Sequence, residues 1–300
     1  MRISDSWARS ASAAPLVVVA ALAVLTAATA AQQPSPDLDA LLTRIGEQVE
    51  RYYQRARNLI CTERVTAQPV GIDSAPTGFA RVLEYELHVE SDSEDGESPK
   101  DVKVVRDLRR INGRVVKTVP DRRDCFDPNP LSPEPLAFLL AANRKEYAFT
   151  WAGFGKGRDQ NLMLIDYRPL ETGKPKLVEA PEAKPGCFSI SMPGGTKGRI
   201  WVEVGSHDIV RMEEHLAHPV DVPIEYEQQR RHGLPDQLVI DRYDYQIRYR
   251  AVSFEDPKET MLLPESIDML AMFRGAQSHR KRQVFTDYKR FMTTGRVVKD

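Results

Sequence analysis

One segment of the sequence has the residue types and spacing closest to those of a metal or catalytic site. It is the run Glu213-Glu214-His215-Leu-Ala-His218. Two histidines three residues apart can share one face of a helix, as zinc sites often require. This run alternates in hydrophobicity and is followed by Pro219, which is typical of a strand, where the spacing places the two imidazoles on opposite faces. The pattern predicts no metal site here, and we expect the glutamates to face water.

Paired carboxylates offer no better catalytic candidate. Glu213 and Glu214 are neighbours on a predicted strand, so they point to opposite faces. The same holds for Asp241 and Asp244, which are three residues apart, so neither pair can share acid–base work. We therefore predict no catalytic residue within these pairs.

Catalytic motifs are also missing from the sequence. Neither the G-x-S-x-G elbow of serine hydrolases nor the H-E-x-x-H helix of zinc proteases occurs. The glycines and lysine of PGGTKGR do not have the spacing of a phosphate-binding loop. We expect a non-enzymatic protein without a cofactor. The alternative is an unrecognised hydrolase whose cleft gathers His215 or His218 with a carboxylate and a nucleophile.

The first thirty residues have the pattern of a secretory signal peptide. An apolar run over residues 15–30 follows two arginines and ends in Ala28-Thr29-Ala30, which has the small-x-small form of a cleavage site. Because the strongly apolar part is shorter than the roughly 20 residues needed to cross a bilayer, we expect cleavage rather than a membrane anchor. The predicted organisation is a signal peptide over 1–30 and a single domain over 31–300, periplasmic or secreted, without a membrane span.

The charge of the chain is nearly balanced. It has 42 Lys and Arg residues against 43 Asp and Glu residues, a formal net charge of -1. Proteins that bind nucleic acid neutralise phosphates with an excess of basic residues on one face. We therefore expect no nucleic-acid partner.

Three cysteines would enter an oxidising compartment on export. Cys61, Cys125 and Cys187 allow at most one internal disulfide, which leaves one thiol over. Their spacing leaves the pairing open.

Two amphipathic helices are predicted. The first begins at Ser35-Pro36-Asp37 and runs to about Arg57, because apolar residues recur at three- and four-residue steps. The second follows the proline-rich DPNPLSPEPL, with Ser132 as the N-cap and Pro133 in the first turn, and ends near Asn143. Each helix has a stripe that packs onto another element.

The rest of the sequence predicts antiparallel strands and one long loop over residues 177–185. Asn112-Gly113 indicates a two-residue hairpin turn, because both positions need a positive φ that Asn and Gly tolerate best. In RYDYQIRYR, alternation places tyrosines on one face and charged residues on the other. Strands are predicted at residues 59–68, 79–90, 146–151, 161–168, 187–192, 199–203, 209–216, 237–250, 262–273 and 277–291.

These elements predict an α+β fold that is mainly antiparallel β. Long antiparallel strands with one apolar face must curl around a core or be covered, and the two helices are the natural cover. Aromatic side chains in the strands would line the concave side and leave an apolar space for a lipid or acyl chain. The predicted hydrophobic ligand face consists of Trp201, Tyr243, Tyr245, Tyr249 and Phe273.

Two segments resemble a known family. GRIWVEVGSHDIVRME resembles the strand-turn-strand motif of bacterial outer-membrane lipoprotein carrier proteins (LolA/LolB-like) and their relatives. LLPESIDML followed by FTDYKRF is similar to the late strands of exported proteins of that type. This chain is longer than the typical carrier and has additional loops at residues 91–100 and 177–185.

The resemblance implies both a fold and a function. The fold is a strongly curved, half-open β-barrel with helices covering its mouth. The function is that of a periplasmic, non-enzymatic carrier for acyl chains, other lipids or a lipidated protein. The alternative is an envelope protein-protein interaction or stress-sensing module that presents a sheet edge or groove to another protein.

Overall fold

Antiparallel strands make up most of the structure, a computed structural model that describes the greater part of the chain. The described residues are 36–56, 58–91, 102–118, 124–125, 135–156, 159, 161–180 and 183–290. They all belong to one compact unit, which spans Ser35–Asp300. The predicted signal peptide over 1–30, the loop over 91–100 beyond Ser91, and the predicted helix starts at Ser35 and Ser132 lie outside the described residues.

Three helices, a 3₁₀ turn and fourteen strands follow one another in the described residues. In chain order they are α1 (Leu38–Arg55), β1 (Leu59–Pro69), β2 (Arg81–Ser91), β3 (Val102–Ile111), β4 (Arg114–Val115), the 3₁₀ turn (Ala137–Leu139), α2 (Ala141–Arg144), β5 (Tyr147–Phe154), β6 (Leu162–Pro169), β7 (Lys176–Glu179), β8 (Phe188–Ser191), β9 (Thr196–Glu203), β10 (Ile209–Leu216), β11 (Val220–Pro223), α3 (Tyr226–His232), β12 (Gln237–Glu255), β13 (Lys258–Arg274) and β14 (His279–Arg290).

Twelve of the described strands form one antiparallel sheet. Its order is β4-β3-β2-β1-β14-β13-β12-β10-β9-β6-β5, and β11 pairs with β12 outside this path. The hairpin of β7 and β8 forms a second sheet. The predicted α+β class, mainly antiparallel, is confirmed. β4 and β5, at the two ends of the order, do not pair, so the described strands do not close into a barrel.

The turn at Asn112-Gly113 is confirmed. Both residues have the predicted positive φ, 49° for Asn112 and 78° for Gly113, and they join β3 to β4. The Asn112 side chain also accepts a hydrogen bond of 2.8 Å from the backbone N–H of Val82. The turn is therefore fastened to the neighbouring strand β2 as well.

The first predicted helix is confirmed. Asp37 accepts hydrogen bonds from the N–H groups of Asp39 and Ala40, and the helix ends before Ala56. Asn58 then adopts a left-handed conformation, with φ of 57°, as the chain turns into β1. The spacing predicts an apolar stripe of Leu38, Leu41, Leu42, Ile45, Val49, Tyr52 and Tyr53. All of these pack into the core, although Leu38 and Tyr52 are only partly buried, and Gly46 is buried beside them.

The second predicted helix is wrong in length. The chain forms the 3₁₀ turn and the four-residue helix α2, separated by Leu140, whose ψ of 145° is extended. The cause is tertiary packing, because Phe138 and Leu139 are both buried in the core. The Asn143 side chain donates a hydrogen bond of 3.0 Å to the carbonyl oxygen of Ala137, which links α2 to the start of the 3₁₀ turn.

Three short elements were not predicted. β7 lies partly within the predicted long loop, and β11 and α3 follow β10. β7 and β11 have four residues each, which is too short for alternation to be visible. α3 ends at Gly233, whose φ of 64° suits a glycine C-cap.

The main core lies on one face of the sheet, which we call the covered face. Its buried side chains come from α1, the 3₁₀ turn and the strands β1, β2, β6, β9, β10, β12, β13 and β14. α1 and the 3₁₀ turn approach closely at Gly46, where an added Cβ would lie 2.9 Å from the carbonyl oxygen of Leu139. No helix among the described residues has both the length and the apolar character to cross a bilayer.

Candidate functional site

An apolar cavity of about 90 Å³ lies between the end of α1 and the centre of the sheet. Tyr52 and Tyr53 contribute from the helix, and strands β1, β2, β3, β12, β13 and β14 contribute the floor. None of the described residues that line the cavity carries a charge. Such a lining favours a ligand that is itself apolar.

Few polar contacts hold α1 over this cavity. The amide of Gln48 donates a hydrogen bond to Asp208. At the end of the helix, the guanidinium of Arg55 lies 3.0 Å from the carboxylate of Glu259, and both side chains are partly exposed. The other helix-to-sheet contacts are mostly those of the apolar stripe, so little directional bonding opposes movement of α1.

Tyrosine hydroxyl groups are the main polar atoms near the cavity. Tyr53 accepts a hydrogen bond of 2.9 Å from the N–H of Leu136, and Tyr288 donates one of 2.7 Å to the carbonyl oxygen of Pro264. The hydroxyl of Tyr249 is buried and has no hydrogen-bond partner among the described residues. Burial raises the pKa of Tyr249 well above its ordinary value, so this phenol remains a neutral donor.

Cys61 is the free cysteine of the chain and lines the cavity. Its side chain is 3% exposed, and burial, assisted by the charge of Glu63, raises the pKa of the thiol to about 12. A thiol in this state is a poor nucleophile. The other two cysteines, Cys125 and Cys187, form the disulfide whose identity the sequence left open.

Glu63, on the same strand as Cys61, forms a buried ion pair with Arg106 of β3. Glu63 is fully buried and shares the alternation of Cys61, so it too points to the covered face. Arg106 of β3 contacts both carboxylate oxygens, at 2.5 and 2.9 Å, and Gln283 of β14 donates a third hydrogen bond of 2.7 Å. Sequence reasoning missed this group, although the alternation of Cys61, Glu63 and Val65 was a signal for it.

A second carboxylate, that of Glu214, also lies on the covered face. Glu214 pairs with Tyr245 on one side and with Gly198 on the other, and Gly198 pairs in turn with Tyr167. The Tyr167 hydroxyl donates a hydrogen bond of 3.2 Å to Glu214. Burial raises the pKa of Glu214, although hydrogen bonds from Thr196 and Tyr167 act in the opposite direction.

The surroundings of Glu213 and Glu214 therefore differ more than the sequence indicates. Glu213 points to the opposite face, where it accepts a hydrogen bond from Gln246. The predicted separation of the pair onto two faces is confirmed, but the expectation that both glutamates face water is wrong for Glu214. Alternation gave the separation, but it gave no indication of which glutamate points toward the core.

Of the predicted ligand-face residues, Tyr243, Tyr245 and Tyr249 share one face of β12, but together with Phe273 they are divided between two clusters. Tyr245 and Tyr249 belong to the main core or pack against it, whereas Tyr243 and Phe273 pack against a second cluster around Val222 and Ile240. Trp201 lies between two core residues of β9 and points to the opposite face, where the Arg211 guanidinium lies 3.6 Å from its ring centre.

The histidines of the opening segment also remain apart from these groups. His215 is exposed on β10, and His218 is exposed beyond the end of that strand, with Nδ1 3.0 Å from the carbonyl oxygen of Pro219. In the described part of the chain, neither shares a hydrogen bond or ion pair with a carboxylate and a nucleophile. His215 does line a polar cleft with Asp166, Glu213 and Thr150, but among the described residues no hydrogen bond or ion pair joins its imidazole to them.

One group of side chains has donor atoms of the kind that bind metal ions. Glu86, His88 and Asp107 bring ligand atoms within 4.8 Å of one another on β2 and β3. The guanidinium of Arg109 lies 2.7 Å from Glu86 and 3.6 Å from Asp107. Because this cation already pairs with both carboxylates, the group is better described as an ion-pair network than as a metal site.

Comparison with known proteins gives distant structural matches. No protein-family model and no curated protein matches the sequence. A LolA superfamily protein from Nitrosomonas europaea aligns with 8% sequence identity and a TM-score of 0.37, over 86% of this chain and 97% of that chain. A DUF1329 family protein from Desulfovibrio piger aligns with 8% identity and a TM-score of 0.39, over 86% of this chain and 93% of that chain.

Proposed function

We propose that this chain is an exported, periplasmic, non-enzymatic carrier or binding protein. It holds an acyl chain or the lipid group of a lipidated partner between α1 and the covered face of the sheet. The observation that carries this proposal is the charge-free cavity beneath the last turns of α1. Sites for apolar ligands are lined mainly by aliphatic and aromatic side chains with a small number of polar groups, as this one is.

The size of the cavity requires α1 to act as a cover that moves. An engineered cavity of about 150 Å³ holds a single benzene ring, whereas the space here is about 90 Å³. A hydrocarbon tail therefore enters only when α1 leaves the sheet. The small number of polar contacts along α1, chiefly those of Gln48 and Arg55, supports this movement.

The half-open barrel expected from the sequence is part of the same proposal. Val104 of β3 and Ile247 of β12 line the same cavity, although their strands are five places apart in the strand order. In a flat sheet these strands would lie about 24 Å apart, at roughly 4.8 Å per place. Their shared contact with one cavity of about 90 Å³ supports a sheet that curves around the helix.

Filling the cavity tests the binding function. Ala56 lines the cavity, and Ala56→Phe puts a ring into it, whereas Ala251→Phe makes the same change at an exposed position of β12. We expect the natural chain and Ala251→Phe to bind the methyl ester of pyrene-labelled hexadecanoic acid equally, and Ala56→Phe to bind it at least ten-fold more weakly. Binding is measured by fluorescence titration, with circular dichroism as the check on folding. Absence of binding to the natural chain, or equal binding by all three proteins, would contradict the proposal.

Export is tested separately. The apolar run over residues 15–30 and its small-x-small end support cleavage after Ala30. We expect intact-mass measurement of the protein from a periplasmic extract to give a chain that begins at Ala31. A chain that retains residues 1–30, or one found in the cytoplasm, would refute the localisation without affecting the binding function.

A further inference from the structure

Tyr249 carries a buried hydroxyl group that no described residue satisfies. The side chain is 7% exposed, and its oxygen has no hydrogen-bond partner among the described residues. A buried hydroxyl without a partner costs free energy, and most buried polar atoms in folded proteins are bonded. The position therefore calls for a partner that the described residues do not provide.

The location of this hydroxyl connects it with the cavity. Tyr249 is two residues from Ile247 on β12, and Ile247 forms part of the cavity floor. Tyr249 lines an adjoining space of about 20 Å³, whose cover includes Val49 and Tyr52 of α1. Tyr52 lines both spaces and packs edge-on against Tyr249, with ring centres 6.4 Å apart.

Movement of α1 would join the two spaces. Val49 and Tyr52 belong to the helix and leave with it, whereas Ile247 and Tyr249 stay in the sheet. The ligand space then has a mainly apolar floor that carries the unsatisfied hydroxyl of Tyr249, and His207 and Asp208 line its edge. The hydroxyl is a neutral donor, because burial raises the pKa of Tyr249.

We infer that Tyr249 selects ester- or amide-linked acyl chains, by donating a hydrogen bond to the carbonyl oxygen of the acyl group. This inference rests on the proposed function and names the ligand class within it. A carbonyl oxygen is a good acceptor that carries no charge. A free carboxylate would lose its hydration in a space whose described lining contains no Lys or Arg and includes the carboxylate of Asp208, which is costly.

A pair of lipids that differ only in the carbonyl group tests the inference. Monolaurin carries an ester, and 1-O-dodecylglycerol carries an ether in its place. We expect Tyr249→Phe to weaken monolaurin binding about ten-fold, which corresponds to the loss of one hydrogen bond, and to change dodecylglycerol binding less than two-fold. Tyr288→Phe is the matched control, because that hydroxyl already donates to Pro264; it should not discriminate between the two lipids.

The outcomes separate the inference from the proposed function. If both lipids bind the natural chain and Tyr249→Phe weakens them equally or not at all, the inference fails and the carrier function stands. If neither lipid binds the natural chain, both fail. The melting temperature gives an independent readout: Tyr249→Phe should keep or raise it in the absence of lipid, and a fall would show that the hydroxyl has a structural partner, which overturns the inference.

Discussion

Tyr167 and Glu214 are joined by a hydrogen bond of 3.2 Å although they lie on strands that are not neighbours. β9 runs between their strands, and it carries Gly198 at the point of crossing. A Cβ built on Gly198 would overlap the ring of Tyr167. The missing side chain is thus what allows a tyrosine to reach across one strand to a carboxylate on the next.

Replacing this glycine should disturb the contact. We expect Gly198→Ala to lower the free energy of unfolding by about 1–3 kcal/mol, because the added methyl group overlaps both the Tyr167 ring and the backbone carbonyl oxygen of Glu213. Urea denaturation measures the change. The matched control is Gly205→Ala, where an added Cβ meets no atom within 4 Å. Equal unfolding midpoints for the two variants would show that the Tyr167 ring and the backbone at Glu213 both adjust without cost.

Glu214 should make the stability of the protein depend on pH. Because burial raises its pKa in the folded protein, the folded state binds the proton more tightly than the unfolded chain. The contribution of the protonated Glu214 to the stability of the protein is therefore fully present below pH 4.5, the ordinary pKa of a glutamate. It is lost as the pH rises through the higher pKa of the folded state. We expect Glu214→Gln, which cannot ionise, to be more stable than the natural chain at neutral pH, with the difference shrinking toward pH 4.

Denaturant unfolding from pH 4 to pH 8 measures this dependence. The control is Glu213→Gln, on the same strand but on the opposite face. A difference between Glu214→Gln and the natural chain that stays constant over this range would refute the assignment.

Removing only one partner of the Glu63–Arg106 ion pair should strongly destabilise the folded protein. We expect Glu63→Met to lower the free energy of unfolding by about 3–5 kcal/mol, because it leaves the Arg106 guanidinium without its carboxylate in a buried position. The double variant Glu63→Met with Arg106→Met should lose less than the single variant, since neither charge remains. Thermal and urea unfolding of both variants measure this, and a double variant less stable than Glu63→Met would contradict the expectation.

Cys61 should report on the movement of α1. We expect N-ethylmaleimide to react with it at least 100-fold more slowly than with free cysteine, because the thiol is 3% exposed and its pKa is raised to about 12. Arg55→Ala removes the ion pair with Glu259 and should accelerate labelling about two- to five-fold, as expected for a partly exposed pair.

Arg44→Ala is the control for this labelling experiment. Arg44 is exposed on α1 and makes no hydrogen bond or ion pair through its side chain with another described residue, so the labelling rate should stay unchanged. Equal acceleration by both substitutions would mean that the exposure of Cys61 follows overall stability rather than the attachment of the helix end.

Local signals in the sequence were sufficient for the features that depend on neighbouring residues. The turn at Asn112-Gly113 needs only two residues with positive φ, and the stripe of α1 needs only its own spacing. The helix expected before Asn143 failed because Phe138 and Leu139 are drawn into the core, a tertiary effect. The local sequence pattern does not show when burial of side chains in the core will outweigh the tendency to form a helix.

The candidate site was harder to predict for a similar reason. In the run Ile200-Trp201-Val202 all three residues are apolar, so alternation does not show that Trp201 is the one on the opposite face. Glu214 falls on the covered face because of the strands beside it, whose order in the sheet is not written in any single segment. The cavity itself is formed by α1 and six strands that are distant in sequence.

The pairing of β1 with β14 has a consequence for how the molecule is assembled. In the strand order, the meander of β1 to β4 meets the rest of the sheet through β14, the last described strand of the chain. Contacts this remote in sequence demand that a very long loop be closed, and topologies rich in them fold slowly. The two portions of the sheet therefore become one cooperative structure only after residues 279–290 have emerged, and a chain truncated before His279 would lack the strand that joins them.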